Sequence, residues 1–178
     1  GQKENTIQFN YIMGEELINI KYRDGRKNFK LYKGAEKIFY NINSIVGYDW
    51  CVITEGEMDA LALHEAGVKP VISVPNGATL NSNNLDYLDN CIDYFEDKEK
   101  IILAVDADEA GQALRYEFIR RLGAEVCYLV DFNGNKDAND FLIEHGAEEL
   151  KKVITSATQV PLEGVSTLRD LEADLLDF

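Results

Sequence analysis

Four short apolar runs, WCVIT (50–54), PVISV (70–74), IILAV (101–105) and EVCYLV (125–130), narrow the possible folds more than any other feature. Each is nearly continuous in hydrophobicity, as strands buried on both faces of a parallel sheet must be. Segments with helical period lie between and after them, at 57–67, 82–97, 109–122 and 138–152. In 109–122, Ala110, Leu114, Phe118 and Leu122 recur every four positions and form one apolar stripe. Gly67 and Gly123 stand where helix ends favour a residue tolerant of positive φ. Strand alternating with helix predicts an α/β domain over 49–155, with a central four-stranded parallel sheet flanked by helices in a Rossmann-like arrangement.

Upstream, LINIKYR and KNFKLY are rich in β-branched and aromatic residues and are separated by Asp24-Gly25, a dipeptide that favours a hairpin turn. Residues 1–48 are therefore expected to form a small basic β-rich subdomain. At the other end, 156–178 is expected to be a linker and tail. SATQVPLEGVSTL has no clear period and contains Pro161 and Gly164, and LRDLEADLLDF has the pattern of an acidic amphipathic helix. No apolar run approaches the ~18 residues of a membrane helix, and the N-terminus lacks the layout of a secretory signal. Cys51, Cys91 and Cys127 have no zinc-ligand spacing and are expected as reduced core thiols of a cytoplasmic protein. His64 and His145 are expected in structural roles, and Tyr87, Tyr94 and Phe95 in packing.

Charge is unevenly spread over a chain whose net charge is −14. Between Asn19 and Lys37 seven bases stand against two acids, whereas from Cys51 onward ten bases stand against twenty-six acids. Such an acidic body repels a broad duplex face, because nucleic-acid affinity comes largely from neutralised phosphates. A basic arm beside an acidic body suits another arrangement, in which metal ions bridge carboxylates to phosphates and the arm holds a polyphosphate or a single strand.

The acids themselves are placed by the sheet. In open α/β sheets functional groups gather outside the carboxyl ends of strands. Glu55 follows the first run, Asp106 and Asp108 the third, and Asp137 and Asp140 the fourth, while Asp59 lies one helical turn beyond Glu55. Any one of these alone reads as an ordinary helix-start acid. Together they mark a site: if the first and third strands are neighbours, Glu55, Asp106 and Asp108 point into a common crevice, with Asp59 at its edge. Like charges ~4 Å apart repel by roughly 1 kcal/mol even in water, so such a cluster calls for a cation. All-oxygen donors suit Mg²⁺ or Mn²⁺. Gly56 and Gly111 are expected to let substrate approach the backbone, and Gly77 to mark a tight loop.

EGEMDALAL after one strand and VDADEAG after another resemble the Toprim signature, a glutamate motif followed by a DxD motif, over about residues 50–145. SVPNGA, KDAND and the basic KYRDGRKNFKLYKGAEKIFYN narrow the resemblance to the primase half of phage- and mitochondrial-type primase-helicases, with a more distant likeness to bacterial replicative primases. The resemblance implies a DNA primase core that synthesises RNA primers in a bacterial or phage-infected cell. Its catalytic residues would be Glu55, Asp59, Asp106 and Asp108, and its metal ligands Glu55, Asp106, Asp108 and Asp137. Lys21, Arg23, Lys30 and, more loosely, Lys37 would contact nucleotide or template. Implied partners are single-stranded DNA, nucleoside triphosphates, a helicase domain and a zinc-binding module outside this chain, which has neither zinc-spaced cysteines nor a GxxxxGK[ST] loop. A Toprim nuclease or strand-cleaving enzyme, and a non-catalytic module binding nucleic acid or a helicase, are the alternatives.

Overall fold

A computed structural model describes residues 2, 3, 5–78 and 85–161. The expected acidic helix at 168–178 and most of the expected tail lie outside the described residues. The first 31 residues build an antiparallel meander of β1 (Gln2–Lys3), β2 (Thr6–Met13), β3 (Glu16–Asp24) and β4 (Phe29–Leu31), in that spatial order. The turn after β3 does not form for the reason the Asp-Gly dipeptide suggests. Asp24 Oδ1 accepts from the backbone N–H groups of Arg26 (2.8 Å) and Asn28 (2.9 Å), and the left-handed residue is Lys27 (φ 62°), not Gly25. The carboxylate of Asp24 thus organises the loop.

The second sheet contains β5 (Trp50–Thr54), β6 (Val71–Ser73), β7 (Lys100–Ala104), β8 (Cys127–Leu129) and β9 (Thr158–Gln159), in the order β6-β5-β7-β8-β9. The first four are parallel, as their continuous hydrophobicity requires, and β5 lies directly beside β7. The expected four-stranded sheet gains a fifth, antiparallel strand, because Thr158–Gln159 pairs with Tyr128 and Leu129. Two residues carry no readable period, so sequence pattern places a linker where the sheet has its edge.

The helices are α1 (Glu57–Glu65), α2 (Asp86–Asp89), α3 (Glu109–Leu122), α4 (Ala138–His145) and α5 (Ala147–Thr155). The described part of 82–97 is not one helix: after α2 the chain continues in a short 3-10 turn, Ile92–Phe95. The apolar residues there are spent on packing, with Tyr87 and Phe95 edge-on or tilted against Phe39. The period at 138–152 is split at Gly146 (φ 84°), which closes α4 and opens α5.

Both faces of the parallel sheet are covered. Val52, Ile102 and Ala104 pack with α1, α4 and α5 through Leu63, Phe141, Leu150 and Ile154. On the opposite face Cys51, Ile53, Ile101, Leu103 and Cys127 meet Leu114 and Phe118 of α3, Phe39 and Ile42 of the connecting segment, and Phe9 and Tyr11 of β2. The meander therefore shares one core with the parallel sheet, and its position over the carboxyl ends of β5 and β7 is fixed by packing. The three cysteines are buried and unpaired. Among the described residues no helix is long and apolar enough to cross a membrane.

Candidate active site

Adjacent parallel strands end side by side, so Glu55 after β5 and Asp106 after β7 meet at the carboxyl edge of the sheet. Asp59 comes from the first turn of α1, whose side chains lean back toward the helix start. Asp137 arrives from the loop after β8, as the residue that caps α4: its Oδ1 accepts from Asp140 N at 2.8 Å. Asp59, Asp106 and Asp137 each offer a carboxylate oxygen, and these lie within 4.8 Å of one another. Lys21, Arg23, Glu55, Lys136 and this triad line one cavity of about 510 Å³.

The electrostatics of the triad are those of crowded, part-desolvated acids. Burial, and then the neighbouring Asp137, push the Asp59 carboxyl up to about 7, although its Oδ1 accepts from Asn139 N at 3.1 Å. Burial also raises Asp106, against the opposing pull of Lys136, whose Nζ is 2.8 Å from Oδ2. Glu55 is raised by burial, then by Asp106 and Asp108. One of its oxygens accepts from Ala78 N at 2.9 Å, presented by the turn at Gly77 (φ 69°), and Oε2 is buried with no partner. Three converging carboxylate oxygens, two of them from buried residues, and a further unpartnered buried oxygen fit a hard divalent cation.

The geometry redistributes the expected residues. Asp59, expected as a catalytic residue but not among the metal ligands, stands in the triad. Asp108 stands outside it, exposed, its Oδ1 accepting from Gly111 N at 2.9 Å as the N-cap of α3. Gly111 admits no substrate: a Cβ there would lie 2.2 Å from the carbonyl oxygen of Asp106, so this glycine lets α3 pack on the backbone of a triad residue. At Gly56 a Cβ would meet the Asp59 carboxylate at 2.8 Å.

Strand parity separates the bases. Lys21 and Arg23 pair in register with Leu31 and Phe29, and all four line the cavity. Lys30 pairs with Tyr22 and is exposed, away from the triad, along a groove with Tyr32 and Lys33. Lys37 lies further off, 3.9 Å from Asp86. Lys136, Phe29 and Glu57 also line the cavity, although sequence reasoning assigned them no place in the site. Lys136 precedes KDAND's first aspartate and was legible by adjacency, Phe29 by its parity with Lys21 and Arg23, and Glu57 only by the fold.

The parallel sheet and the acidic triad at its carboxyl edge define an α/β protein whose carboxylates are placed to hold a divalent cation opposite a basic sheet. The chain belongs to the Toprim-like family, whose model matches residues 52–142. It is 37% identical over 177 residues to a primase homolog protein of Arabidopsis thaliana, covering 90% of this chain and 52% of that one. It is 34% identical over 184 residues to the chloroplastic/mitochondrial Twinkle homolog of the same plant, covering 94% of this chain and 26% of that one. The primase fragment of the bacteriophage T7 primase-helicase superposes with a TM-score of 0.72 at 26% identity, over 83% of this chain and 61% of that one. The chain thus spans about half or less of the curated relatives it matches.

Proposed function

We propose that this chain is the catalytic core of a DNA primase, joining ribonucleotides into RNA primers on a single-stranded DNA template. The observation that carries the reading is the two-sided charge of one cavity: Asp59, Asp106 and Asp137 on one wall, Lys21 and Arg23 on the other. Primer synthesis uses both walls. A primer 3′-hydroxyl oxygen attacks the α-phosphorus of a nucleoside triphosphate, the bond to the bridging oxygen breaks, and pyrophosphate leaves carrying the negative charge. Strand cleavage releases no pyrophosphate and makes less use of the basic wall.

Mg²⁺ or Mn²⁺ held by Asp59, Asp106 and Asp137, with Glu55 beside them, would polarise the phosphate and neutralise charge when bound. Lys21 and Arg23 bind the β- and γ-phosphates and orient the triphosphate. Glu55, raised by burial, is suited to receive the proton of the attacking hydroxyl. Asp108 acts through the start of α3. Template recognition and unwinding fall to a zinc-binding module and a helicase outside these residues, the latter in keeping with the likeness to a primase-helicase. A bacterial or phage-infected cytoplasm fits this role.

The test is titration with Mn²⁺ and a nucleoside triphosphate, comparing the chain with Asp106→Asn, followed by primer synthesis on single-stranded DNA with a zinc-module partner added. Loss of both bindings in Asp106→Asn is expected. Unchanged binding rejects the site, and cleavage of DNA without nucleotide rejects synthesis in favour of a nuclease.

A further inference from the structure

We propose that Glu57 and Tyr11 are positioning residues that hold the Lys21 ammonium at the cavity wall, an inference that rests on the primase reading above. A lysine with a four-carbon stem ordinarily carries its charge out to water. Lys21 does not: the residue is 7% exposed. Its Nζ lies 2.7 Å from Glu57 Oε1, and the ring of Phe29 stands 4.8 Å away. The carboxylate and the ring together restrict where the ammonium can sit.

Glu57 is itself held. It is 3% exposed and opens α1, where the helix N-terminus favours a carboxylate. The same Oε1 accepts the hydroxyl of Tyr11, which is fully buried and packs edge-on against Tyr40 at 5.6 Å. The chain of contacts Tyr11, Glu57, Lys21 therefore joins β2 and β3 to the first turn of α1. Two residues further along that turn stands Asp59 of the triad. The basic wall and the acidic wall are thus referenced to one helical turn, and their separation is set by it.

Stability is a poor reason for the arrangement. Desolvating a lysine and a glutamate cancels most of their attraction, and the same interface already has the apolar packing of Phe9 and Tyr11, both edge-on to Tyr40 and both in the core cluster that holds Ile53. What a buried, doubly anchored carboxylate adds is a fixed location for a charge that must meet phosphates. Misplacing such a group by about 1 Å costs up to about a hundredfold in rate.

The test is a double-mutant cycle on the full chain, with Glu57→Gln and Lys21→Ala, read as kcat and KM for the nucleoside triphosphate and as direct binding of a fluorescent nucleoside triphosphate with Mg²⁺. Lys21→Ala lowers kcat by at least as much as any loss of its positioning can, and also raises KM and weakens nucleotide binding. Glu57→Gln keeps the lysine charge but frees it, so kcat falls by about ten- to a hundredfold while KM is little changed. In the Lys21→Ala background Glu57→Gln has no further effect on kcat. Tyr11→Phe shifts kcat in the same direction by less, and Glu57→Asp restores part of the loss; if Glu57→Gln does not fold, Tyr11→Phe carries the cycle. Additive losses, or wild-type kcat in Glu57→Gln, overturn the positioning role. A chain that binds nucleotide and shows additivity refutes this inference alone, whereas a chain that binds no nucleotide refutes the primase reading beneath it.

Discussion

Replacing Asp59 by asparagine should make the metal-free protein more stable while destroying its response to divalent cations. Asp59 is raised from an ordinary 3.8 to about 7, first by burial and then by Asp137. Well below pH 3.8 the carboxyl is protonated in folded and unfolded chains alike, and no penalty arises. As pH rises toward 7 the unfolded chain ionises freely while the folded one resists, so metal-free stability falls through this window and levels off above it. The difference corresponds to ~4 kcal/mol at most. Asparagine removes that cost and keeps the oxygen that accepts from Asn139 N. It also gives up the attraction between a first-turn carboxylate and the helix N-terminus, worth up to ~1 kcal/mol. The net gain near pH 8 is then ~3 kcal/mol, or a rise in Tm of roughly 6–12 °C for a domain of this size. Thermal and urea unfolding near pH 5 and pH 8, with chelator or with Mg²⁺, measure it. The parent should gain stability from Mg²⁺ at pH 8 and Asp59→Asn should not. An Asp59→Asn protein less stable than its parent at pH 8 in chelator would refute the account of the triad as a charge cluster in need of a cation.

Three further outcomes follow from the same geometry. Gly111→Ala, ordinarily favourable inside a helix by up to ~1 kcal/mol, should instead lower stability by ~1–3 kcal/mol or more and weaken Mn²⁺ binding, because its Cβ would lie 2.2 Å from the carbonyl oxygen of Asp106; calorimetric melting and metal titration report the two effects together. Asp108→Ala should cost ~1 kcal/mol in urea unfolding through the lost cap on α3 while leaving Mn²⁺ affinity as it was. Lys30→Ala should leave nucleoside triphosphate affinity unchanged, whereas Arg23→Ala should cost ~1.5–3 kcal/mol of binding in the same fluorescence titration, since of these two bases Arg23 lines the cavity and Lys30 does not.

What the sequence made legible was decided by period. WCVIT is β5 residue for residue, and the four-residue stripe over 109–122 is α3 with the expected bounds. Both are long or apolar enough for local pattern and tertiary role to agree. Pattern failed where a residue's partner is remote. β2, TIQFNYIM, lies within the β-rich subdomain expected over 1–48, but that its Phe9 and Tyr11 face inward, with exposed Asn10 between them, is set by packing against the distant parallel sheet. β9 exists because Tyr128 and Leu129 offer it an edge, and nothing within two residues announces that.

The same distinction governs the site. That acids would gather at the strand ends followed from topology, but their ranking did not. Asp106 and Asp108 look equivalent in a DxD motif until the helix that follows claims one of them: the N-terminus of α3 has an orphan N–H at Gly111, and Asp108 is the residue in reach of it. Asp59 takes the vacated place because a first-turn side chain leans back over the end of β5. On the basic side, Lys21 and Lys30 look interchangeable until the register of β3 with β4 sets Lys21 opposite Leu31 and Lys30 opposite Tyr22, on opposite faces. In each case two like residues are separated by a backbone constraint, a cap in one and a strand parity in the other. The motif supplies the charges, and the unpaired N–H groups and register around it determine which of them reach the cavity.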